Sequence, residues 1–160
     1  MAAIVVEDGS GLSTSNSYIT EAELSTYATD RGVTLSGTPA VLLIQAMDYL
    51  ESQIFQGVKN TDAQALQWPR YNVVIDNYSV SSSAIPTLLK DALAELCIGI
   101  DGGTNPLANL SRETVREKVG EIEVEYSPNS YAATYLAAAE TKLRKLLSNS
   151  SRLSARAVRV

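Results

Sequence analysis

Apolar residues recur at helical spacing in three stretches of the chain and alternate at strand spacing in one, and these periods, with a capping box that marks a further helix, set out its elements. The widest helical stripe runs through Leu43, Met47, Leu50 and Ile54, with Ile44 and Phe55 beside it. Thr38-Pro39 supplies its start, an N-cap followed by proline at the first helical position, and Gly57 its stop. So broad a stripe predicts that this second helix is central. Ahead of it, Thr20-Glu-Ala-Glu23 forms a capping box with Ile19 and Leu24 placed as a hydrophobic staple. That first helix runs to about Arg31 and leaves through Gly32. A third helix begins near Pro86, carries Leu89, Leu93, Leu96, Cys97 and Ile100, and ends at Asp101-Gly-Gly103. A fourth spans Ser130 to Leu147, with Tyr135, Leu136, Ala139, Leu143, Leu146 and Leu147 apolar. Lys142, Arg144 and Lys145 fall in its last turns, where cations suit the helix dipole.

Between the third and fourth helices the period changes to two. Ile122, Val124 and Tyr126 alternate with Glu121, Glu123 and Glu125, and Thr114 to Val119 can pair with them through a turn near Gly120. Arg112, Arg116 and Lys118 then oppose the glutamates, although exposed pairs contribute only about 0.2–1 kcal/mol each. An isolated hairpin is marginal in water, so this one is expected to pack on the helices or to extend a sheet in a neighbouring subunit. The residues before Thr20 are rich in Ser, Gly and Asn and predict an extended arm with Ile4, Val5 and Val6 as its candidate strand. The expected fold is mainly α: a small bundle of about four helices with a β-hairpin near 112–126 and extended N- and C-terminal arms. Residues 1–147 make one domain and 148–160 the C-terminal arm.

The connection between the second and third helices holds Gln64-Ala-Leu-Gln-Trp-Pro-Arg70, which brings together the only Trp of the chain, a proline and an arginine. Pro69 keeps Trp68 out of helical geometry. Trp68 can plug the core under this connection, or it can face a partner together with Arg70, since Trp and Arg are enriched at interface hot spots. Arg70 is expected at the loop edge, held by a carboxylate or carbonyl. Tyr71-Asn-Val-Val-Ile75 is long enough for only a minor strand.

Composition narrows the chemistry. With 160 residues and 45% hydrophobic content, the chain can build one real core. Its apolar runs fall short of the roughly 20 residues of a membrane span, and the N-terminus lacks the pattern of a secretory signal. Histidine is absent, which removes the commonest general base and metal ligand. Cys97 sits in an apolar helical pattern and reads as a core residue. Asp101-Gly-Gly103 lacks the Gly-Lys-Ser/Thr of a phosphate loop. The glutamates of the hairpin read as a solvated face. The expectation is a protein that is not an enzyme and holds no cofactor or metal.

The net charge is -5, which argues against a body that grips DNA, because phosphate neutralisation supplies most non-specific affinity. The tyrosines are scattered without interleaved Lys or Arg. Like charge suits instead a channel through which DNA slides without sticking. The exception is the tail, where Arg152, Arg156 and Arg159 occur without an acid. It is either a frayed end or a basic arm whose Ala155, Ala157 or Val158 and Val160 add as a strand to something acidic.

Several segments in the same order resemble a family of small tailed-phage proteins: Ser17-Tyr-Ile-Thr-Glu-Ala-Glu23, Ala46-Met-Asp-Tyr-Leu50, Gln64 to Arg70, Ile85-Pro86, and Lys118-Val-Gly-Glu-Ile-Glu-Val-Glu-Tyr126. Members are often labelled DnaT-like single-stranded DNA-binding proteins, and the pattern is also similar to head-to-tail adaptor, or head-completion, proteins. The adaptor resemblance implies a dodecameric ring at the head-tail junction of a virion, made in the bacterial cytoplasm. It would be docked on the portal and on a tail-proximal connector or tail terminator, with genomic DNA passing through without sequence-specific binding. It further implies portal docking by Lys142, Arg144, Lys145, Arg152, Arg156, Arg159 and Val160, and inter-subunit contact by Val119, Gly120, Ile122, Val124 and Tyr126. Gln64, Leu66, Trp68, Pro69 and Arg70 become a structural latch or subunit contact. The alternative is a replication protein that binds single-stranded DNA.

Overall fold

The computed structural model describes residues 3–107, 116–119, 122–125 and 136–148. Helix α1 (Glu21–Asp30) starts on the capping box: the Glu23 amide donates to Thr20 Oγ1 at 3.1 Å and the Thr20 amide to Glu23 Oε2 at 2.6 Å. The bond from the Thr20 amide holds the Glu23 carboxyl below the usual carboxylate range. The chain leaves through Arg31, whose guanidinium lies 3.4 Å from the centre of the Tyr27 ring, and through Gly32 at φ 71°.

Helix α2 (Pro39–Glu51) begins at Thr38-Pro39, without a side-chain bond from Thr38. It ends well short of Gly57, because the Glu51 carboxylate is engaged by the connection that follows and the Ser52 hydroxyl donates to Tyr49 O at 2.6 Å. Two expectations change in consequence. Ile54 leaves the core stripe and is 60% exposed, and Phe55 reaches the core from an extended segment that bridges Leu147.

Helix α3 (Thr87–Asp101), rather than α2, is central, since it packs against α1, α2 and the fourth helix. Small residues make this approach from several sides possible: Ala92, Ala94 and Cys97 are buried beside Leu89, Leu93 and Leu96. A methyl group added at Gly99 would lie 2.5 Å from Leu136 Cδ2. Helix α4 (Ala137–Leu143) is shorter than the expected span from Ser130 to Leu147. Leu136 has ψ 81°, outside helical geometry. At the other end, Gln56 N donates to Leu146 O and Ser148 N to Ile54 O, both at 2.9 Å, so the backbone pairs with 54–56 instead of continuing the helix. Tyr135 lies outside the described residues.

Among the described residues there are three two-stranded antiparallel sheets. Strand β1 (Val58–Lys59) pairs with β2 (Arg70–Tyr71), Val58 opposite Tyr71. Strands β3 (Val74–Ile75) and β4 (Tyr78–Ser79) join through Asp76 and Asn77, at φ 50° and 69°, the left-handed pair that a tight hairpin turn requires. Strands β5 (Arg116–Val119) and β6 (Ile122–Glu125) place Arg116 opposite Glu125 and Lys118 opposite Glu123, the opposition of charges read from the sequence. Of the packing alternatives for that hairpin, the described residues offer no helix or strand in contact with it. Arg112, Gly120 and Tyr126 lie outside the described residues.

The N-terminal segment is non-helical, with a single parallel bridge, Val6 to Ser17, where a strand was expected. It lies against the body. The Glu7 carboxylate is buried and accepts from the amides of Gly9, Gly11 and Leu12 at 2.8–2.9 Å and from the Ser15 hydroxyl at 3.0 Å. Ala65 N then donates to Leu12 O at 3.0 Å, fastening this loop to the long connection.

Gly57 and Gly32 share a left-handed backbone but not their surroundings. A Cβ at Gly57 would lie 2.2 Å from Tyr71 O, whereas one at Gly32 meets nothing within 4 Å. Gly32→Ala is expected to cost about 1 kcal/mol, the backbone term alone, and Gly57→Ala at least about 2 kcal/mol more, because β1 and β2 must separate. Urea denaturation of both variants checks the contrast.

Candidate functional site

The long connection from Ser52 to Arg70 is held by a set of buried polar side chains. Tyr18, fully buried, donates its hydroxyl to Glu51 Oε1 at 2.5 Å and accepts from the Trp68 amide at 3.1 Å, while Gln67 N donates to Glu51 Oε2 at 2.7 Å. Burial, reinforced by the Glu51 charge, pushes the Tyr18 phenol far above its ordinary range, so it remains a donor. Burial also raises the Glu51 carboxyl.

Trp68 has no exposed surface and meets Phe55 edge to face, with ring centroids 6.0 Å apart. Its Nε1 is buried without a hydrogen-bond partner. Of the two roles open to Trp68, the fold gives it the core position and no exposed face. The Trp68-Pro69 peptide is cis. Leu66 is buried beside Trp68 in the same cluster. Gln64 Nε2 donates to Leu66 O at 2.9 Å and to Pro69 O at 3.0 Å, while its Oε1 accepts from Thr61 N. Arg70 finds carbonyls, not a carboxylate. Its Nε donates to Gln56 O at 2.7 Å, Nη2 to Gly57 O at 2.9 Å, and Nη1 to Gln67 O and Oε1 at 3.1 and 2.8 Å. One guanidinium thus clamps both ends of the connection, and burial pulls its pKa down.

Beside this clamp lies the basic end of α4. Lys145 Nζ is 2.7 Å from Asp76 Oδ2 in the β3–β4 turn, and Lys145 O accepts from Gln56 Nε2 at 2.8 Å. Arg144 is exposed. Lys142 lies 4.0 Å from Asp91 on α3, and Glu140 accepts the Tyr49 hydroxyl at 2.5 Å, tying α4 to α2. Among the residues assigned to portal docking, the structure brings Lys142, Arg144 and Lys145 together. Arg152, Arg156, Arg159 and Val160 lie outside the described residues. Val119, Ile122 and Val124 stand on β5 and β6.

Two residues not singled out from the sequence stand out here. Tyr71 is 42% and Tyr78 79% exposed, on adjacent small sheets, with Val58 and Val74 also exposed. The signal for Tyr78 was the Asp76-Asn77 dipeptide between two β-prone runs. Tyr71 opens the segment expected to form only a minor strand, and it stands on β2. Elsewhere Cys97 is fully buried and its thiol is pushed up to about 12 by burial. Among the described residues, no group of three or more His, Cys, Asp or Glu is placed to hold a metal ion, and no helix is long and apolar enough to cross a membrane.

The arrangement defines an α-rich fold whose internal polar groups are committed to holding loops, with Lys145 at the end of α4 tied to the β3–β4 turn. The chain matches the family model described as "Putative DnaT-like ssDNA binding protein" over residues 2–160, and it belongs to that family. Searches of curated proteins and of solved structures found no match.

Two variants probe the clamp. Arg70→Lys keeps the charge but cannot reach the carbonyls of residues 56, 57 and 67 together, and a loss of about 2–3 kcal/mol in urea denaturation is expected. Glu51 binds a proton more tightly folded than unfolded, so its burial costs most at neutral pH and the cost is relieved as pH falls through the raised value. The stability of wild type relative to Glu51→Gln should rise from neutral pH toward about pH 4.5 and level off below it. A constant difference across that window would show that Glu51 does not titrate as its surroundings dictate.

Proposed function

We propose that this chain is a non-catalytic protein that binds single-stranded DNA. The observation that carries this reading is the family match along the whole chain. The distribution of charge supports it: from Lys142 to Val160 there are six basic residues and no acidic one, whereas the rest of the chain carries all 18 acids and only seven bases. Affinity for phosphate is therefore confined to the C-terminal part, and an acidic body limits how much strand is held.

A second reading, a ring-forming adaptor at the head-tail junction of a tailed phage, is favoured by a different observation. The β5–β6 hairpin places Arg116 opposite Glu125 and Lys118 opposite Glu123, and a two-stranded hairpin gains stability from a further partner. In that reading the hairpin meets a neighbouring subunit, the C-terminal part docks on the portal, and a tail-proximal connector covers the opposite side. A single-stranded DNA binder and a ring around a DNA channel place different demands on the chain, and only the first requires affinity for a free oligonucleotide.

The test is fluorescence anisotropy with a labelled oligo-dT. Binding at low salt is expected, weakening linearly on a logarithmic salt scale by about 0.7 for each phosphate neutralised. No binding at low salt, together with assembly into a ring in the presence of a portal, would replace the first reading with the second.

A further inference from the structure

We propose that the open recess between the outer face of α2 and the end of α3 seats an arginine side chain presented by a protein partner, with its guanidinium on Asp48 and its aliphatic stem against Ile100 and Leu107. The recess measures about 350 Å³. This inference goes beyond single-strand binding and stands without that reading.

The walls follow from how two helices are built. On α2, Val41, Gln45 and Asp48 recur at steps of four and three, which puts them on one outward face, and Val41 is 46% exposed. Helix α3 ends as the Gly103 and Thr104 amides donate to Ile100 O and Gly99 O at 2.9 and 3.0 Å, with Gly103 at φ 90° turning the chain. Asn105 Oδ1 then accepts from Leu107 N at 3.0 Å and holds the turn beside α2. Gln45, Asp48, Ile100, Thr104, Pro106 and Leu107 line the space between.

The chemistry of this lining selects its occupant. Asp48 forms no ion pair or hydrogen bond among the described residues, and the side chains of Gln45 and Thr104 make none either. Glu51, Glu95 and Glu140, by contrast, each accept a tyrosine hydroxyl, and Asp101 accepts from the amides of Ser36 and Gly37. Three acceptors thus stand unused around one space, and one of them carries charge. No lysine or arginine lines the recess, and the C-terminal end of α3 adds partial negative charge, so a phosphate is repelled and a cation attracted. Ile100, Pro106 and Leu107 supply apolar surface, Leu107 being 51% exposed. A strongly hydrated ammonium gains little from such walls, whereas a guanidinium is planar, weakly hydrated and able to donate to several acceptors at once. In so open a recess a free small cation would keep most of its water. An arginine delivered by a protein is held by the contacts around it, for which Leu107 and Val41, one turn along α2 from Gln45, offer exposed apolar surface.

The test titrates full-length, isotope-labelled protein with N-acetyl-arginine methylamide and, in parallel, with its citrulline analogue, which has nearly the same shape and no charge, and follows the amide NMR signals. The arginine probe should shift the amides of Gln45, Asp48, Thr104 and Leu107 and leave those of the Glu7 loop in place. The citrulline probe should bind at least about threefold more weakly, the difference that an exposed charge pair supports, and Asp48→Asn should abolish that preference. Asp48→Asn should also keep the wild-type urea midpoint, because Asp48 has no partner among the described residues. Equal binding of the two probes, or shifts that fall elsewhere, would overturn the inference. A midpoint that drops in Asp48→Asn would assign the carboxylate to a cation of the chain itself, with the same result. Displacement of the arginine probe by spermidine at micromolar concentration would make the occupant a free polyamine and overturn the protein source.

Discussion

The Glu51 carboxylate at the end of α2 is the interaction on which the rest of the structure depends. It accepts from Tyr18 on one oxygen and from the Gln67 amide on the other, so it fixes the N-terminal segment and the long connection at once. Leaving a half-buried carboxylate without donors would cost several kcal/mol, which is why the helix stops here rather than at Gly57. With α2 ended, Phe55 runs extended and Trp68 drops into the core against it. The hydrophobic gain from Trp68 is therefore conditional on a polar bond formed by a different element.

Arg70 finishes what Glu51 begins. The carboxylate holds the amides at the far end of the connection, and the guanidinium holds the carbonyls at both ends, so donors and acceptors of an irregular segment are satisfied by two charged side chains within reach of each other's field. A loop of this length without regular structure would otherwise expose or orphan much of its backbone. The β1–β2 pair, and with it the placement of Tyr71, follows from that clamp.

The helices and the last hairpin were legible because period and caps are local signals. The Thr20–Glu23 box, Pro39 and the register of Arg116 and Lys118 against the glutamates all appear where the sequence predicts them. What failed was decided by tertiary bonds. Ile54 continues a helical stripe on paper, but the bond between Ser148 and its carbonyl belongs to an extended segment. Helix α2 looked central because its stripe is wide, whereas the small residues of α3 admit neighbours on more sides. The exposure of Tyr71 and Tyr78 was not legible, because it is set by two short ladders whose register is tertiary. The basic run was legible as charge, but its neighbours were not.

The placement of that run matters more than its net charge. Helix α4 is short, yet Tyr49, Asp91 and Asp76, from three different elements, each hold one of its polar side chains. Such exposed or half-buried ties contribute modestly to stability, but together with the Phe55–Leu147 bridge they fix where the chain leaves the body. Ser148 is reached beside Ile54, two residues before the Gln56 carbonyl that Arg70 holds, so the segment that follows α4 and the clamp of the long connection are tied through the same stretch of backbone.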